Sequence, residues 1–364
     1  MPESNKPLCF FLGANTPFGF VSHFDEMLNP EAMDKLYIMK GGPGTGKSTI
    51  LKKISKSALK KEKNMELIHC SSDPDSLDGI VFNDIRTCVL DGTSPHVIDP
   101  KYPGAFDAIF NIFDCIDEKA LGKNRKKIIE LFEAIRVLHE RSARFLSAAG
   151  SLLTDTYRIS AETMDPSKIE RLASRIAKRE MPHKNRKSSE KIRFLSAITP
   201  DGPVFFQNTV STVCDKLYVI TDEYGAASRA LLSSIRNYAL HSGYDIITCY
   251  CPMSPNEKIE HVFIPQLKLG FCTSNKHHRI EFKEAKKMHA RRFYDMEKLK
   301  AKKRRIAFNK KAASELIAET VKIMKQAKEL HDELEKEYIA AMDFAKLDQK
   351  AAELAENILK KYEE

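Results

Sequence analysis

Residues 34–70, "DKLYIMKGGPGTGKSTILKKISKSALKKEKNMELIHC", align without a gap on residues 215–251, "DKLYVITDEYGAASRALLSSIRNYALHSGYDIITCYC". Ten of the 37 positions are identical: Asp34, Lys35, Leu36, Tyr37, Gly44, Leu51, Ile54, Ala58, Leu59 and Cys70. An internal repeat constrains a fold more than composition does, because both copies must build the same unit. The match extends outward. "FLGANTPFG" (11–19) pairs with "FLSAITPDG" (194–202), Pro74 with Pro255, Phe82 with Phe263, and "MDPSKI" (164–169) with "MDFAKL" (342–347). The 364 residues therefore read as a tandem duplication, with copies near 1–187 and 188–364.

In the first copy the pattern predicts strands near 8–12, 36–40, 65–70, 87–91 and 95–98, and a helix over 47–62. Strands alternating with helices predict a mainly parallel sheet covered on both faces. Phe106, Ile109, Phe110, Phe113 and Ile116 fall on one helical stripe, and "KKIIELFEAIRVLHERSARFLSAAGSLL" continues as a second amphipathic helix. In the second copy Leu316, Ile323 and Leu330 recur every seven residues, as do Ala327, Leu334 and Ala341, a narrow seam suited to a two-helix hairpin or coiled coil. The expected units are a core at 1–104, a helical segment at 105–187, a second core at 188–280 and a basic helical or coiled-coil segment at 281–364.

The first copy contains Gly41-x-x-x-x-Gly46-Lys47-Ser48, a complete Walker A pattern set between an apolar strand and an amphipathic helix. Glycines let backbone N–H groups turn inward around phosphate oxygens, and the helix N-terminus favours an anion there. Gly41, Gly42, Pro43, Gly44, Thr45, Gly46, Lys47, Ser48 and Thr49 are the expected cradle. Lys47 is expected to reach the β- and γ-phosphates and the Ser48 hydroxyl to ligate Mg²⁺. A strand ending in aspartate commonly completes the metal shell. Asp91, closing "TCVLD", is the first choice for that role. Asp73, closing "LIHCSSD", is the candidate for orienting the attacking water or serving as the metal acid instead, and Asp99, closing "HVID", fits a turn better.

With these residues in place, the sequence resembles the P-loop NTPase superfamily. "GGPGTGKST" is most similar to the loops of ATPases built on a RecA-like core, and the overall plan resembles a bacterial family of ATPases with two tandem P-loop domains. The resemblance implies nucleotide binding and hydrolysis with ATP and Mg²⁺; it does not supply a substrate.

In the second copy Lys47 becomes Ser228, Ser48 becomes Arg229, Asp73 becomes Ser254 and Asp91 becomes Thr273. Gly41 and Gly42 become Asp222 and Glu223, placing negative charge where phosphate would sit. The apolar frame survives and the charge-handling set is gone, so this copy reads as a pseudo-NTPase. Arg229 offers one further reading, a cation reaching toward the other copy's nucleotide.

Charge is uneven: residues 276–311 hold 15 Lys/Arg against 4 Asp/Glu, and 168–193 hold 10 against 3. The first segment suits a solvated helix face, nucleic acid or an acidic protein, but it has only Phe293, Tyr294 and Phe308 as nearby aromatics and no recognisable base-reading module. The eight cysteines contain no C-x-x-C pair and sit mostly in apolar runs, which suggests free thiols in a reducing cytosol. Cys249 and Cys251 with His261, His277 and His278 have metal-ligating chemistry, though C-x-C on one strand is a weak signal. No run is long enough for a membrane span, and the N-terminal stretch lacks a signal-peptide pattern.

The leading expectation is an ATPase whose nucleotide state changes the packing of the second copy and the helical arms. A small-molecule or nucleotide kinase shares the same cradle, and a non-catalytic ATP-binding scaffold or nucleic-acid-associated protein is a third class. ATP is expected over GTP because no N-K-x-D occurs; "SNKHH" (274–278) lacks the aspartate.

Overall fold

The computed structural model describes residues 6–276 and 278–363. The first copy runs β1 (Leu8–Phe10), the hairpin β2 (Gly13–Thr16) and β3 (Gly19–Ser22), β4 (Lys35–Lys40), α1 (Lys47–Lys60), β5 (Glu66–His69), β6 (Leu77–Phe82), β7 (Thr87–Asp91) and β8 (Asp107–Asn111). Helices α2 (Glu118–Lys123), α3 (Arg125–Ala161) and α4 (Pro166–Glu180) follow. The second copy repeats the plan: β9 (Glu190–Arg193), β10 (Ser196–Thr199), β11 (Gly202–Phe205), α5 (Gln207–Val213), β12 (Lys216–Thr221), α6 (Ala226–His241) and β13 (Ile246–Cys251). It closes with β14 (Ser254–Ile264), β15 (Leu269–Ser274), β16 (Lys286–His289), α7 (Met296–Ala301), α8 (Lys303–Ile339) and α9 (Phe344–Lys360).

The two main sheets share one strand order. The first is β1-β5-β6-β7-β4-β8 and the second, read from its other edge, is β9-β13-β14-β15-β12-β16. In each, only the strand at the third place (β6 or β14) runs antiparallel to both neighbours. The sheets are therefore mixed and mostly parallel.

Leu36, Ile38, Cys88 and Leu90 of the first sheet and Leu217, Val219, Cys249 and Cys272 of the second belong to one cluster, which Val210 and Val213 of α5 and Phe24 and Met27 of a short 3₁₀ helix also fill. A pair of backbone hydrogen bonds, Phe11 N to Phe194 O and Phe194 N to Phe11 O, both 2.9 Å, ties equivalent residues of the two copies together. Beside them, Arg193 is fully buried and bonds Glu66 at 3.0 Å and Glu26 at 2.9 Å across the same junction.

The helical segments are exchanged between copies. Helices α3 and α8, each 37 residues long, pair antiparallel: Lys127 meets Glu337 at 2.6 Å near one end, and Arg305 Nε donates to Asp155 at 2.8 Å near the other. Each long helix thereby carries its successor to the opposite core. Leu347, Ala351, Leu354 and Ile358 of α9 pack on Ile50, Leu51 and Ile54 of α1, while Ile169, Ala173 and Ile176 of α4 join Leu231, Leu232 and Ile235 of α6. Burying a Leu or Ile fully contributes about 1.5–3 kcal/mol, so each swap fixes the second core by several such contacts. Asp165 and Asp343 start the two carried helices alike, accepting from Lys168 N and Lys346 N. The narrow seam expected along α8 is thus a two-helix pairing made between the copies.

The structure departs from the sequence expectations at four places. The stripe 106–116 is not helical: 107–111 forms β8, parallel to β4, and Phe113–Cys115 is a single 3₁₀ turn. Apolar spacing in a short run fits a strand followed by a turn as well as a helix. The segment 95–98 is irregular, since Pro95 cannot donate in a ladder. The strand β6 (LDGIVF), buried at every position, was not expected. The sheets also take edge strands from 107–111 and 286–289, beyond the expected core ends at 104 and 280.

Candidate functional site

Strand β4 ends at Lys40 and α1 begins at Lys47, so the glycine loop spans the turn between them. Gly44 and Gly46 have φ of 65° and 88°, the left-handed region that side chains resist. A Cβ on Gly41 would lie 2.7 Å from Thr45 Oγ1. The N-cap residue of α1, Gly46, brings no side chain to the first-turn N–H groups, which leaves them to an anion. Lys47 Nζ donates to Gly41 O at 3.1 Å and Gly42 O at 2.7 Å, and Thr45 Oγ1 donates to Gly42 O at 2.8 Å.

Asp91 closes β7, the direct neighbour of β4, and its Oδ2 lies 3.7 Å from Lys47 Nζ. Its Oδ1 accepts from Thr93 N and Thr93 Oγ1. Ser48 Oγ accepts from Leu77 N at 3.0 Å, and Thr49 lies in the first turn of α1. Asp73 accepts from Ser76 Oγ and lies 3.4 Å from Lys328, whereas Asp99 is exposed and held by Lys40 at 2.8 Å.

Sequence reading missed Asp78 and His96. In the β5/β6 ladder Ile68 pairs with Gly79 and His69 with Leu77, so Asp78 is the extra residue of a β-bulge, a device that re-aims side chains. Its carboxyl, the Asp91 carboxylate and the His96 ring offer ligand atoms within 4.8 Å of one another. Burial, then the Asp91 charge, pushes Asp78 up to about 8. Nothing in "SLDGIVF" marked this aspartate, because a bulge leaves no composition signal.

The loop is also covered from the other copy. A Cβ on Gly42 would fall 2.3 Å from Tyr338 Cε1, and one on Gly44 would fall 2.8 Å from Glu335 O. The last turns of α8, with Lys328, His331 and Glu335, lie directly over the cradle. His331 is lowered by burial, and Lys47 is one of the charges that hold it down.

The second copy is built differently at the same place. Helix α6 starts at Ala226, two positions earlier in the aligned register than α1, so it winds into what is loop in the first copy. The buried Asp222 carboxylate accepts from Ser228 N at 2.8 Å and Tyr224 N at 3.0 Å. Tyr294 O–H lies 3.1 Å from Asp222 Oδ2, and its oxygen accepts from Ala227 N at 2.7 Å. A side-chain anion thus sits on the N–H groups of this loop. Arg229 is held over the Tyr157 ring at 4.4 Å and pairs with Glu257 at 3.0 Å, which keeps it at its own loop. A cavity beside it, lined by Glu223, Tyr224, His289, Arg291 and Lys310, carries the same acidic floor of Asp222.

Several cations of 276–311 are engaged within the protein. Arg305 grips Asp155, Lys310 lies 3.6 Å from Glu223 and Lys276 donates to Ser314. All eight cysteines are free, six of them buried. Cys249 pairs in register with His261, while His277 lies outside the described residues. Among the described residues no helix is long and apolar enough to cross a membrane. Comparison of the chain with protein-family models, curated proteins and solved structures gave no match.

Proposed function

We propose that the chain is an ATP-binding protein and a magnesium-dependent ATPase, with its reaction at the loop 41–49 and a pseudo-NTPase second copy. The observation that carries this reading is Lys47 at the head of α1, 3.7 Å from the Asp91 carboxylate that ends the adjacent strand. The donor set fits a nucleotide with a hard cation: glycine-spaced N–H groups for phosphate, and Ser48 Oγ, Asp91 and Asp78 as oxygen ligands beside them.

Magnesium bound with the nucleotide supplies charge stabilisation on the phosphate oxygens; Ser48 and Asp91 would hold it. Lys47 neutralises charge that builds on the γ-phosphate, and the N–H groups of α1 add their fixed dipoles. Asp73, in the turn that follows β5, would accept a hydrogen bond from the attacking water. Contact of Glu335 and Tyr338 with Gly44 and Gly42 couples the loop to α8, so the nucleotide state is felt by the arm and, through α9, by the first core.

The test is phosphate release from ATP and Mg²⁺ by the purified chain with no acceptor added. Turnover that disappears in Lys47→Ala is the expected result. Release only when a metabolite pool is added would replace hydrolysis by phosphotransfer, and no ATP binding at all would overturn the reading.

A further inference from the structure

The bulge that presents Asp78 is repeated in the second copy. Cys249 pairs with His261 and Tyr250 with Ile259, so Glu260 is the extra residue of β14. Glu260, His261 and His278 bring ligand atoms within 4.8 Å of one another, and all three residues are buried. In register they stand where Asp78, Gly79 and His96 stand, with Thr273 at the Asp91 position. The oxygen-rich set of the first copy has been exchanged for one carboxylate and two imidazoles.

Two observations point to a ligand there. His261 is 1% exposed, yet neither ring nitrogen has a hydrogen-bond partner, and the buried Thr273 hydroxyl has none either. Buried polar atoms are nearly always paired, so two orphaned nitrogens on one ring need an explanation. His278 Nε2 lies 2.9 Å from Thr273 O, which makes Nε2 the N–H donor and leaves the lone pair on Nδ1. Metal-bound histidines are held in this way, with the second nitrogen on a backbone carbonyl.

We propose that Glu260, His261 and His278 form a binding site for a divalent transition-metal ion, zinc by preference, in the second copy. The site does not depend on the ATPase reading. Lys258 Nζ holds Glu260 Oε1 at 2.7 Å, which offsets the charge of the carboxylate. Affinity must therefore come from the imidazoles, a donor set that favours zinc over magnesium or calcium. Shifts of about 1 Å bring the ligand atoms to the spacing of tetrahedral zinc.

The test is equilibrium dialysis of the full chain against zinc chloride, with metal counted by mass spectrometry, and cobalt chloride as an optical probe of tetrahedral nitrogen ligation. The expected result is a zinc ion lost in His261→Ala and in His278→Ala but kept in Lys47→Ala and Asp91→Asn. Lys258→Met should tighten binding at least tenfold, an effect that general destabilisation cannot produce. Circular dichroism shows whether each variant is folded. No zinc retained by the wild type and Lys258→Met, or equal retention in folded His261→Ala, would overturn the proposal.

Discussion

Lys328 of the second copy lies 3.4 Å from Asp73 of the first, over the glycine loop. The pair spans the two halves of the duplication at the proposed reaction centre, with Lys328 also 3.3 Å from Asp332 on its own helix. Exposed ion pairs contribute about 0–1 kcal/mol, so the pair adds little to the fold. Lys328→Ala should leave the melting temperature nearly unchanged and lower kcat for phosphate release about tenfold, by freeing Asp73 from its position. Glu335→Gln, which removes a negative charge beside Gly44, should instead tighten ATP several-fold. Unchanged kinetics in both variants would reduce α8 to a packing element.

The two loops should separate cleanly by calorimetry. Charge-assisted hydrogen bonds from Lys47 to phosphate are worth roughly 1.5–3 kcal/mol each, so Lys47→Ala should weaken ATP about ten- to a hundredfold. Ser228→Lys should add no second site: Asp222 already occupies the N–H groups, and Ala226 and Ala227 are helical where the first copy has loop. One nucleotide per chain is expected for the wild type and for Ser228→Lys. Two per wild-type chain would show that the second loop is functional.

The repeat made the duplicated order of strands legible, because Leu51, Ile54 and Ala58 recur as Leu232, Ile235 and Ala239 and are buried in both copies. The turn from Gly41 to Gly46 was legible because Gly44 and Gly46 take left-handed φ values between β4 and α1. The exchange of α4 and α9 could not. Periodicity in "MDPSKIERL" reports an apolar face and is silent on which core that face meets. Asp78 and Glu260 were hidden for a related reason: a bulge changes where one side chain points without changing its neighbours' identity. The glycines of the loop carried a second message as well, since Gly42 and Gly44 also leave room for Tyr338 and Glu335, some 290 residues away in the chain.

Arg193 should be the most sensitive polar position at the junction of the copies. It is fully buried against Glu66, which also meets Lys191 at 3.1 Å and Asn83 at 2.9 Å. Arg193→Met leaves Glu66 and Glu26 without their main cation and should cost about 3–5 kcal/mol in urea unfolding. Burial alone would raise Glu66, but Arg193, Lys191 and Asn83 outweigh it and bring the group from 4.5 down to about 2. A carboxylate lowered on folding contributes stability that is complete above its unfolded value and is lost as pH falls toward the folded one. Wild-type stability should therefore fall steeply between about pH 5 and pH 2, and Glu66→Gln should flatten that slope while lowering the plateau. An unchanged slope would assign acid sensitivity to other carboxylates. Glu26 is not the source, because burial raises it despite the same arginine.

Asp222 tests whether the second loop is held by its own anion. Its carboxylate accepts from Ser228 N and Tyr224 N and receives Tyr294 O–H, and the first and last of these bonds are buried. Leaving a buried donor unpaired costs about 1–3 kcal/mol, so Asp222→Ala should destabilise the chain by a few kcal/mol in urea unfolding. Asp222→Asn should cost less, since its amide oxygen still accepts one N–H while the charge on the helix N-terminus is lost. Neither variant should gain ATP, because Arg229 stands in the Ser48 slot and Thr273 cannot replace Asp91. Removing the anion should instead let inorganic sulfate restore part of the lost stability, with Asp222→Ala gaining more from sulfate than from chloride at equal ionic strength. Equal stability of wild type and Asp222→Ala would mean that those N–H groups are satisfied by something other than this carboxylate.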